Sequence, residues 1–372
     1  MNPMLKEYMG VLSLYEEESN IRPLTLGRPL ASIPIGGRYR IIDFILSNMV
    51  NSGITNVGVF GKTKSRSLLD HLGSGKPWDL DRKINGLFIF NFGHMASCDG
   101  NLECLINNME YFSRSKQKYV IMASSSMICN INFKEAAKCH EESQKDITLI
   151  YKSVHDGKNN FLGCHTINIG ENNKVLSIGK NIGKEDKINV FMEMFIMKKE
   201  FLIKLITKCL QTGCEKSIKD YIENNIKLLN TNVYKFNGYL NCVNSINSYF
   251  KANMNMLNEN IRKELFYENG LIYTKVKDEP PTKYGECSSI HNSLIANGCL
   301  INGTVKNSII GRRVKIGKGS VLENCIIMQG SKIEENVILK NVIIDKNNII
   351  QKGKELKGDS EFPVVIEKSI LG

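Results

Sequence analysis

The 372-residue chain has one tryptophan and eight prolines, and none of its eleven cysteines falls in a Cys-x-x-Cys pair. Cys98, Cys104, Cys129, Cys139, Cys164, Cys209, Cys214, Cys242, Cys287, Cys299 and Cys325 are too scattered for a zinc-ligand set or a disulfide framework. Reduced thiols in a cytoplasmic setting are expected. The six histidines also lack metal-ligand spacing and read mostly as surface or supporting residues, so no metal site is expected. No apolar run is long enough to cross a bilayer. The opening MNPMLKEYMGVLSLYEEES has a short apolar stretch that runs into acids, which predicts neither a signal peptide nor a membrane anchor. The 49 Lys and Arg against 38 Asp and Glu give a net charge of +11, with no Arg-rich block and no interleaved aromatics. That pattern argues against nucleic-acid binding. Phosphorylated small molecules stay possible as partners, and charge alone decides little.

What is present divides near residue 285. Before it, β-rich runs at 9–15, 54–60, 119–124 and 147–152 alternate with helical patterns near 42–52, 64–72, 102–115 and 133–144. VFMEMFIMKK at 190–199 reads as a strand leading into a helix over 201–212, and residues 245–257 as a long helix. This grammar predicts an α/β domain over residues 1–260, with a Rossmann-like mixed or parallel sheet. Its ligand site should lie beyond the carboxyl ends of the strands. Residues 261–284 read as a linker. Over 285–372 the helical period disappears, and the tetrads Asn292-Ser-Leu-Ile, Asn307-Ser-Ile-Ile, Asn324-Cys-Ile-Ile and Asn341-Val-Ile-Ile return at steps of 15, 17 and 17. Between them stand Ile301, Val305, Ile316, Val321, Ile333 and Val337, a spacing near six. Such spacing predicts a left-handed β-helix of hexapeptide repeats with aliphatics pointing inward. An acyltransferase built on such a helix needs a histidine between coils, and none follows His291.

Several segments carry a more specific signal. They are Arg22-Pro-Leu-Thr, Arg28, Ile35-Gly-Gly-Arg-Tyr-Arg-Ile-Ile-Asp-Phe-Ile-Leu-Ser-Asn48, His71-Leu-Gly-Ser-Gly-Lys-Pro-Trp-Asp-Leu-Asp-Arg82, Ser248-Tyr-Phe-Lys-Ala-Asn-Met254 and Pro280-Pro-Thr-Lys-Tyr284. Together they closely resemble the ADP-glucose pyrophosphorylase (glucose-1-phosphate adenylyltransferase) family over almost the whole chain. The resemblance implies a nucleotidyltransferase domain followed by a β-helix. The family's reaction joins ATP and glucose 1-phosphate to give ADP-glucose and diphosphate, with Mg²⁺.

The same resemblance marks what is missing. The family's first strand leads into a Gly-Gly-x-Gly-x-Arg loop, where this chain has Tyr15-Glu-Glu-Glu-Ser-Asn20, so the catalytic arginine falls on Asn20. Carboxylates there repel a triphosphate, and side chains block the close backbone approach that glycine allows. The family's Ser-Gly-Asp-His reads Ser124-Ser-Ser126-Met127, placing Ser126 at a Mg²⁺-binding aspartate. The second such aspartate falls on Cys242. A hydroxyl and a thiol are poor substitutes for two hard carboxylate ligands. The family's Glu-Lys-Pro becomes Gly179-Lys180-Asn181, and the serine of Ser-Met-Gly-Ile-Tyr becomes Phe191, so Lys180 alone remains of the sugar-phosphate set. A solvated loop lysine is the slightly favoured reading of Lys180.

In the family, arginines around these segments bind phosphorylated effectors between the two domains. Arg28 and Arg40 match two such positions, and Lys346 is a further candidate from the β-helix. A lysine of that site falls on Leu30. Alternatively, both arginines pair with acids such as Asp43 to hold the fold. Trp78 is expected to anchor a loop near the sugar side, and the methionines around 192–194 and 254–256 to pack. The pattern is similar to the D-type regulatory subunits of some bacterial glycogen pathways. It implies a non-catalytic subunit that binds no cofactor itself and modulates a catalytic homologue in a heterotetramer, while the partner uses ATP and Mg²⁺. An active adenylyltransferase with a rewired site and a stand-alone sugar-phosphate or nucleotide sensor are the rival readings.

Overall fold

The computed structural model describes residues 5–61, 65–91, 101–213 and 216–368, so His94, Cys98 and Cys214 lie outside the described residues. Strand Tyr8–Leu14 is buried throughout except at Ser13, and this near-continuous apolar run seats it inside a nine-stranded sheet. It pairs in parallel with Asn56–Gly61 on one side and Tyr119–Ser124 on the other, and Gly86–Asn91 extends the parallel part. The long strand Ile188–Lys198 then runs antiparallel to both Tyr119–Ser124 and Ile147–Val154. Thr231–Lys235 and the antiparallel pair His165–Ile169 and Val175–Lys180 complete the sheet, which is therefore mixed. Helices Ile41–Asn51, Arg66–Leu72 and Phe133–Ser143 form where the periodicity placed them. The helix predicted over 102–115 is instead two, Asn101–Asn107 and Met109–Arg114. At the break, Asn108 Nδ2 donates back to the Cys104 carbonyl at 2.7 Å, the local competition that asparagine offers a helix.

The Ile35-to-Asn48 segment has a clear structural purpose. Pro34–Ile35 and Tyr39–Arg40 form a small antiparallel hairpin whose turn places Gly36 and Gly37 at φ of 58° and 78°. A Cβ on Gly37 would lie 3.1 Å from the Ile310 carbonyl oxygen, so the turn docks against the β-helix. The helix Ile246–Asn255 holds this hairpin: Tyr249 OH donates to the Pro34 carbonyl at 2.6 Å, and Asn253 Oδ1 accepts from the Gly36 amide at 3.0 Å. The two segments are therefore one clamp. Helix Ile41–Asn51 follows directly, capped by Asp43 Oδ2 on the Arg40 amide at 2.9 Å. Asp43 Oδ1 also meets His71 Nε2 at 2.6 Å, and His71 and His140 are buried rather than on the surface. Trp78 is 1% exposed, edge-on to His71, and packs in the hydrophobic core.

Residues 259–268 form a short helix and a π turn that bury Leu265 and Phe266, and the chain then extends to the first β-helix strand, Lys283–Tyr284. One face of the β-helix stacks Lys283–Tyr284, Leu300–Ile301, Lys315–Ile316, Lys332–Ile333 and Ile349–Ile350 in parallel register. The repeated asparagine of each tetrad turns a corner: Asn292, Asn307, Asn324 and Asn341 have φ of 41°, 45°, 52° and 52°. Asparagine tolerates this left-handed conformation at low cost. Its amides also stack between coils, Asn292 Nδ2 to Asn307 Oδ1 at 2.9 Å and Asn324 Nδ2 to Asn341 Oδ1 at 3.1 Å. One inward residue was misassigned from spacing. Val321 is 38% exposed, because side chains alternate along the strand and Leu322 takes the interior position. The left-handed β-helix does not stand apart from the α/β domain. Ile326, Met328 and Ile343 share a core with Ile21, Leu24, Phe44, Tyr249 and Phe250. Among the described residues no helix is long and apolar enough to cross a membrane.

Candidate functional site

Past the carboxyl ends of Tyr8–Leu14 and Tyr119–Ser124 lies a cleft of about 580 Å³ that brings together Asn20, Ser126, Lys180 and Cys242. Arg40 and Lys346 line a different cleft, between the two domains.

In the first cleft Glu16 folds inward, while Glu17 stays exposed. Glu16 Oε1 accepts from the Ser125 amide at 2.8 Å, the Ser125 hydroxyl at 2.7 Å and the Ser124 hydroxyl at 3.1 Å. Burial pushes the Glu16 carboxyl above its usual range, against the Ser125 hydrogen bonds that hold it down. A backbone amide at a strand end is a ready anion site, and here the chain's own carboxyl group takes it. Glu18 Oε1 likewise accepts from the Leu30 amide at 2.8 Å. Lys180 is exposed, with its ammonium 3.9 Å from Glu17 Oε2.

Ser126 and Cys242 are both buried, Cys242 standing opposite Met127 in the short antiparallel pair Met127–Ile128 and Asn241–Cys242, with the Ser126 carbonyl accepting from the Val243 amide at 2.8 Å. The Ser126 hydroxyl lies 2.9 Å from that of Ser124. The Cys242 thiol hydrogen-bonds Cys164, which together with burial pushes its pKa well above the ordinary thiol value. These groups do not fit Mg²⁺. The ion requires hard oxygen ligands in a tight octahedron, and both positions offer protonated, neutral side chains. Their neighbouring carboxylate, Glu16, already accepts three hydrogen bonds. Among the described residues no group of three His, Cys, Asp or Glu side chains could hold a metal ion.

Sequence reasoning missed a polar network on the opposite wall. Glu193 sits at the register shift between Phe191 and Met194, in a left-handed conformation with φ 53°. The family pattern Ser-Met-Gly-Ile-Tyr has glycine at this position. Glu193 Oε1 meets His165 Nδ1 at 3.0 Å and also pairs with the Lys219 ammonium, while His165 Nε2 lies 3.5 Å from Glu223 Oε1. Burial would raise the Glu193 carboxyl, but His165 and Lys219 outweigh it and hold the pKa at about 2. The signal was a lone acid in a buried methionine strand, which had been read as packing. With Glu16, Glu17, Glu193, Asp220 and Glu223 against Lys180, Lys216 and Lys219, the cleft carries five carboxylates to three lysines. That balance is hostile to a triphosphate.

The interdomain cleft has the opposite character. Arg38, Arg40 and Lys277 face Arg312 and Lys346 of the β-helix. Arg40 donates to the Ser67 carbonyl and, at 3.1 Å, to the Ser67 hydroxyl, so Asp43 caps its backbone and does not take its guanidinium. Arg28 stands beside this cluster but is committed elsewhere. Its Nη2 reaches both Asp345 oxygens at 2.9 Å, with side-chain exposures of 7% and 4%. Burial, then Arg40 and Arg28, hold the Lys346 pKa down to about 7. Burial and neighbouring cations likewise depress Lys277 and Arg312. Cations that suppress one another's charge in this way make a site for an added anion. Free space among these side chains is only about 30 Å³.

Residues 18–260 match the nucleotidyl transferase family and residues 280–362 the GlmU-like C-terminal hexapeptide family. The chain is 36% identical over 368 residues to the glycogen biosynthesis protein GlgD of Bacillus subtilis (strain 168), spanning 98% of this chain and 97% of that protein. To the glycogen biosynthesis protein GlgD of Geobacillus stearothermophilus it is 38% identical over 372 residues, spanning 99% and 98%. To a glucose-1-phosphate adenylyltransferase of Clostridium novyi (strain NT) it is 29% identical over 331 residues, spanning 85% and 84%. A full-length match at this level, on a mixed sheet joined to a hexapeptide β-helix, places the chain in the nucleotidyl transferase family, among GlgD proteins and glucose-1-phosphate adenylyltransferases.

Proposed function

We propose that this chain works in glycogen synthesis as a non-catalytic, regulatory subunit of a glucose-1-phosphate adenylyltransferase assembly. The observation that carries this reading is the Glu16 carboxylate on the Ser125 amide, beside the neutral Ser126 and Cys242. Adenylyl transfer develops negative charge that must be met by metal ions and cations. This cleft offers its carboxylates elsewhere, and a hydroxyl and a thiol at the two positions where the resemblance implies acids for Mg²⁺. The fold is retained, so selection for shape outlasting chemistry favours a role through contact with a catalytic homologue in the cytoplasm. Arg40, Lys277, Arg312 and Lys346 between the domains would receive a phosphorylated small-molecule effector. Coupling to the partner is then a free energy of about 1–3 kcal/mol expressed across a subunit interface.

The test is co-expression with a catalytic glucose-1-phosphate adenylyltransferase. ADP-glucose formation and particle mass of the mixture are compared with those of each chain alone. A mixed oligomer with altered turnover, and background activity from this chain by itself, is the expected result. Turnover by this chain alone at the level of the catalytic homologue would establish the rewired-enzyme reading instead.

A further inference from the structure

Two free thiols meet in the wall of the degenerate cleft. Cys164 and Cys242 are far apart in the chain, yet the Cys242 thiol donates to the Cys164 sulfur. Their backbones are held independently. Cys164 stands just before the strand His165–Ile169, and its carbonyl accepts from the Asn181 amide at 2.8 Å. Cys242 ends the short strand Asn241–Cys242, which pairs with Met127–Ile128. Asn244 then ties the two segments together. Its Nδ2 donates to the Leu162 carbonyl at 2.8 Å and to Cys164 Sγ at 3.5 Å. The chain just past Cys242 therefore clamps the loop that carries Cys164, and the two sulfurs are kept as neighbours.

A buried cysteine by itself packs as a small hydrophobe and is chemically quiet. These two differ in that both line the cleft of about 580 Å³, which a small oxidant can enter. The sulfurs are also unlike each other. The contact with Cys164, then burial, hold the Cys242 proton in place, and the Glu193 carboxylate acts in the same direction. The Cys164 sulfur instead receives hydrogen bonds, from Asn244 and from Cys242. One sulfur is set to attack first and the other to follow.

We propose that Cys164 and Cys242 are a reversible oxidation site, joined as a disulfide by a hydroperoxide that enters the cleft. The Cys164 sulfur attacks one oxygen of hydrogen peroxide, the O–O bond breaks, and hydroxide leaves with the Cys164 proton as water. Cys164 is then a sulfenic acid, the form that condenses with a neighbouring thiol. The Cys242 sulfur attacks it, the S–O bond breaks, and the departing hydroxide takes the Cys242 proton as a second water. Two thiols are oxidised, both peroxide oxygens are reduced, and a dithiol reverses the bond by exchange. A bond here closes a long loop of the chain and so restricts the unfolded state. The inference does not rest on the regulatory reading, since it uses neither the glutamate-filled loop nor the interdomain cations.

The experiment treats the reduced full chain with hydrogen peroxide, alkylates the remaining thiols, and maps the digest by mass spectrometry without reductant. A linked peptide pair holding Cys164 and Cys242 is expected, and dithiothreitol should return both to the alkylated form. The oxidised chain should melt a few degrees higher than the reduced one. Dimedone should trap Cys164 as its sulfenic acid in Cys242→Ser, while Cys164→Ser gives no linked pair. The wild-type map decides the matter even if a variant folds poorly. Both cysteines still alkylated at a peroxide dose that oxidises the exposed Cys287 would overturn the proposal. So would either sulfur passing to sulfinic acid with no linked pair, or Cys242 joined to a different cysteine.

Discussion

The carboxylate of Glu16 rests on the backbone amide of Ser125, 2.8 Å from the nitrogen, where the strand Tyr119–Ser124 ends. An internal carboxyl group thus occupies a position suited to an external anion. Replacing Glu16 with alanine frees that amide and the space its side chain fills, yet leaves Ser126 and Cys242 neutral. ATP retention in equilibrium dialysis should therefore rise while diphosphate release from ATP and glucose 1-phosphate stays at background. Loss of the three hydrogen bonds should cost about 1–3 kcal/mol in urea unfolding. Turnover gained from this one change would mean that the missing carboxylates are not what silences the cleft.

Arg28 and Asp345 form the buried tie between the α/β domain and the β-helix. Breaking one side strands a charge in the interior, so Asp345→Ala should destabilise by about 3–5 kcal/mol. The double replacement Arg28→Met with Asp345→Leu removes both charges and should recover most of that loss. Chemical denaturation of the single and double variants measures the difference. A double variant as unstable as the single would show that packing, and not the stranded charge, sets the cost.

How far the sequence could be read depended on whether the signal was local. Alternating strands and helices, and the asparagine tetrads with their 15- and 17-residue steps, are written in nearest-neighbour chemistry, and the elements formed accordingly. The positions Asn20, Ser126, Lys180 and Cys242 converge in one cleft because the strand order carries them there. What could not be read was pairing across long separations. Arg28 finds its acid 317 residues away, not at the nearby Asp43. Glu193 finds His165 and Lys219 only because a register shift turns it into the cleft. Lys277 and Arg312 carry no motif and join the basic cluster only through docking of the two domains.

The asparagine corners invite a direct comparison. Asn324 has φ 52° and donates to Asn341 Oδ1 at 3.1 Å. Asn324→Gly keeps the backbone comfortable and loses only the amide contact, whereas Asn324→Ala keeps the Cβ but loses the side-chain amide that eases this conformation, at a cost of up to about 1–2 kcal/mol. The melting temperature should therefore fall more for alanine than for glycine. Equal losses would assign the role of this residue to the amide stack alone.

The interdomain cations predict a pH dependence with a definite sign. Lys346 is held down to about 7, so the free protein loses this proton as pH rises through neutrality. A bound anion favours the protonated form and restores the pKa towards about 10.4. Binding above pH 7 therefore takes up a proton, and affinity should fall with rising pH, approaching about tenfold per unit. Lys277, also depressed by burial and by Arg312 and Arg40, adds in the same direction. Asp345 opposes the depression of Lys346, while Arg28 and Arg40 reinforce it. Without anion the linkage runs the other way. The unfolded lysine keeps its proton to higher pH than the folded one, so this group contributes stability that grows as pH rises from about 7 to about 10. Sulfate is the suitable probe, since its charge does not change over this range. Its calorimetric affinity should decline between about pH 6.5 and about pH 8.5 in the wild type and flatten in Lys346→Met. A wild-type profile without slope, or a variant equally steep, would remove Lys346 from the anion site.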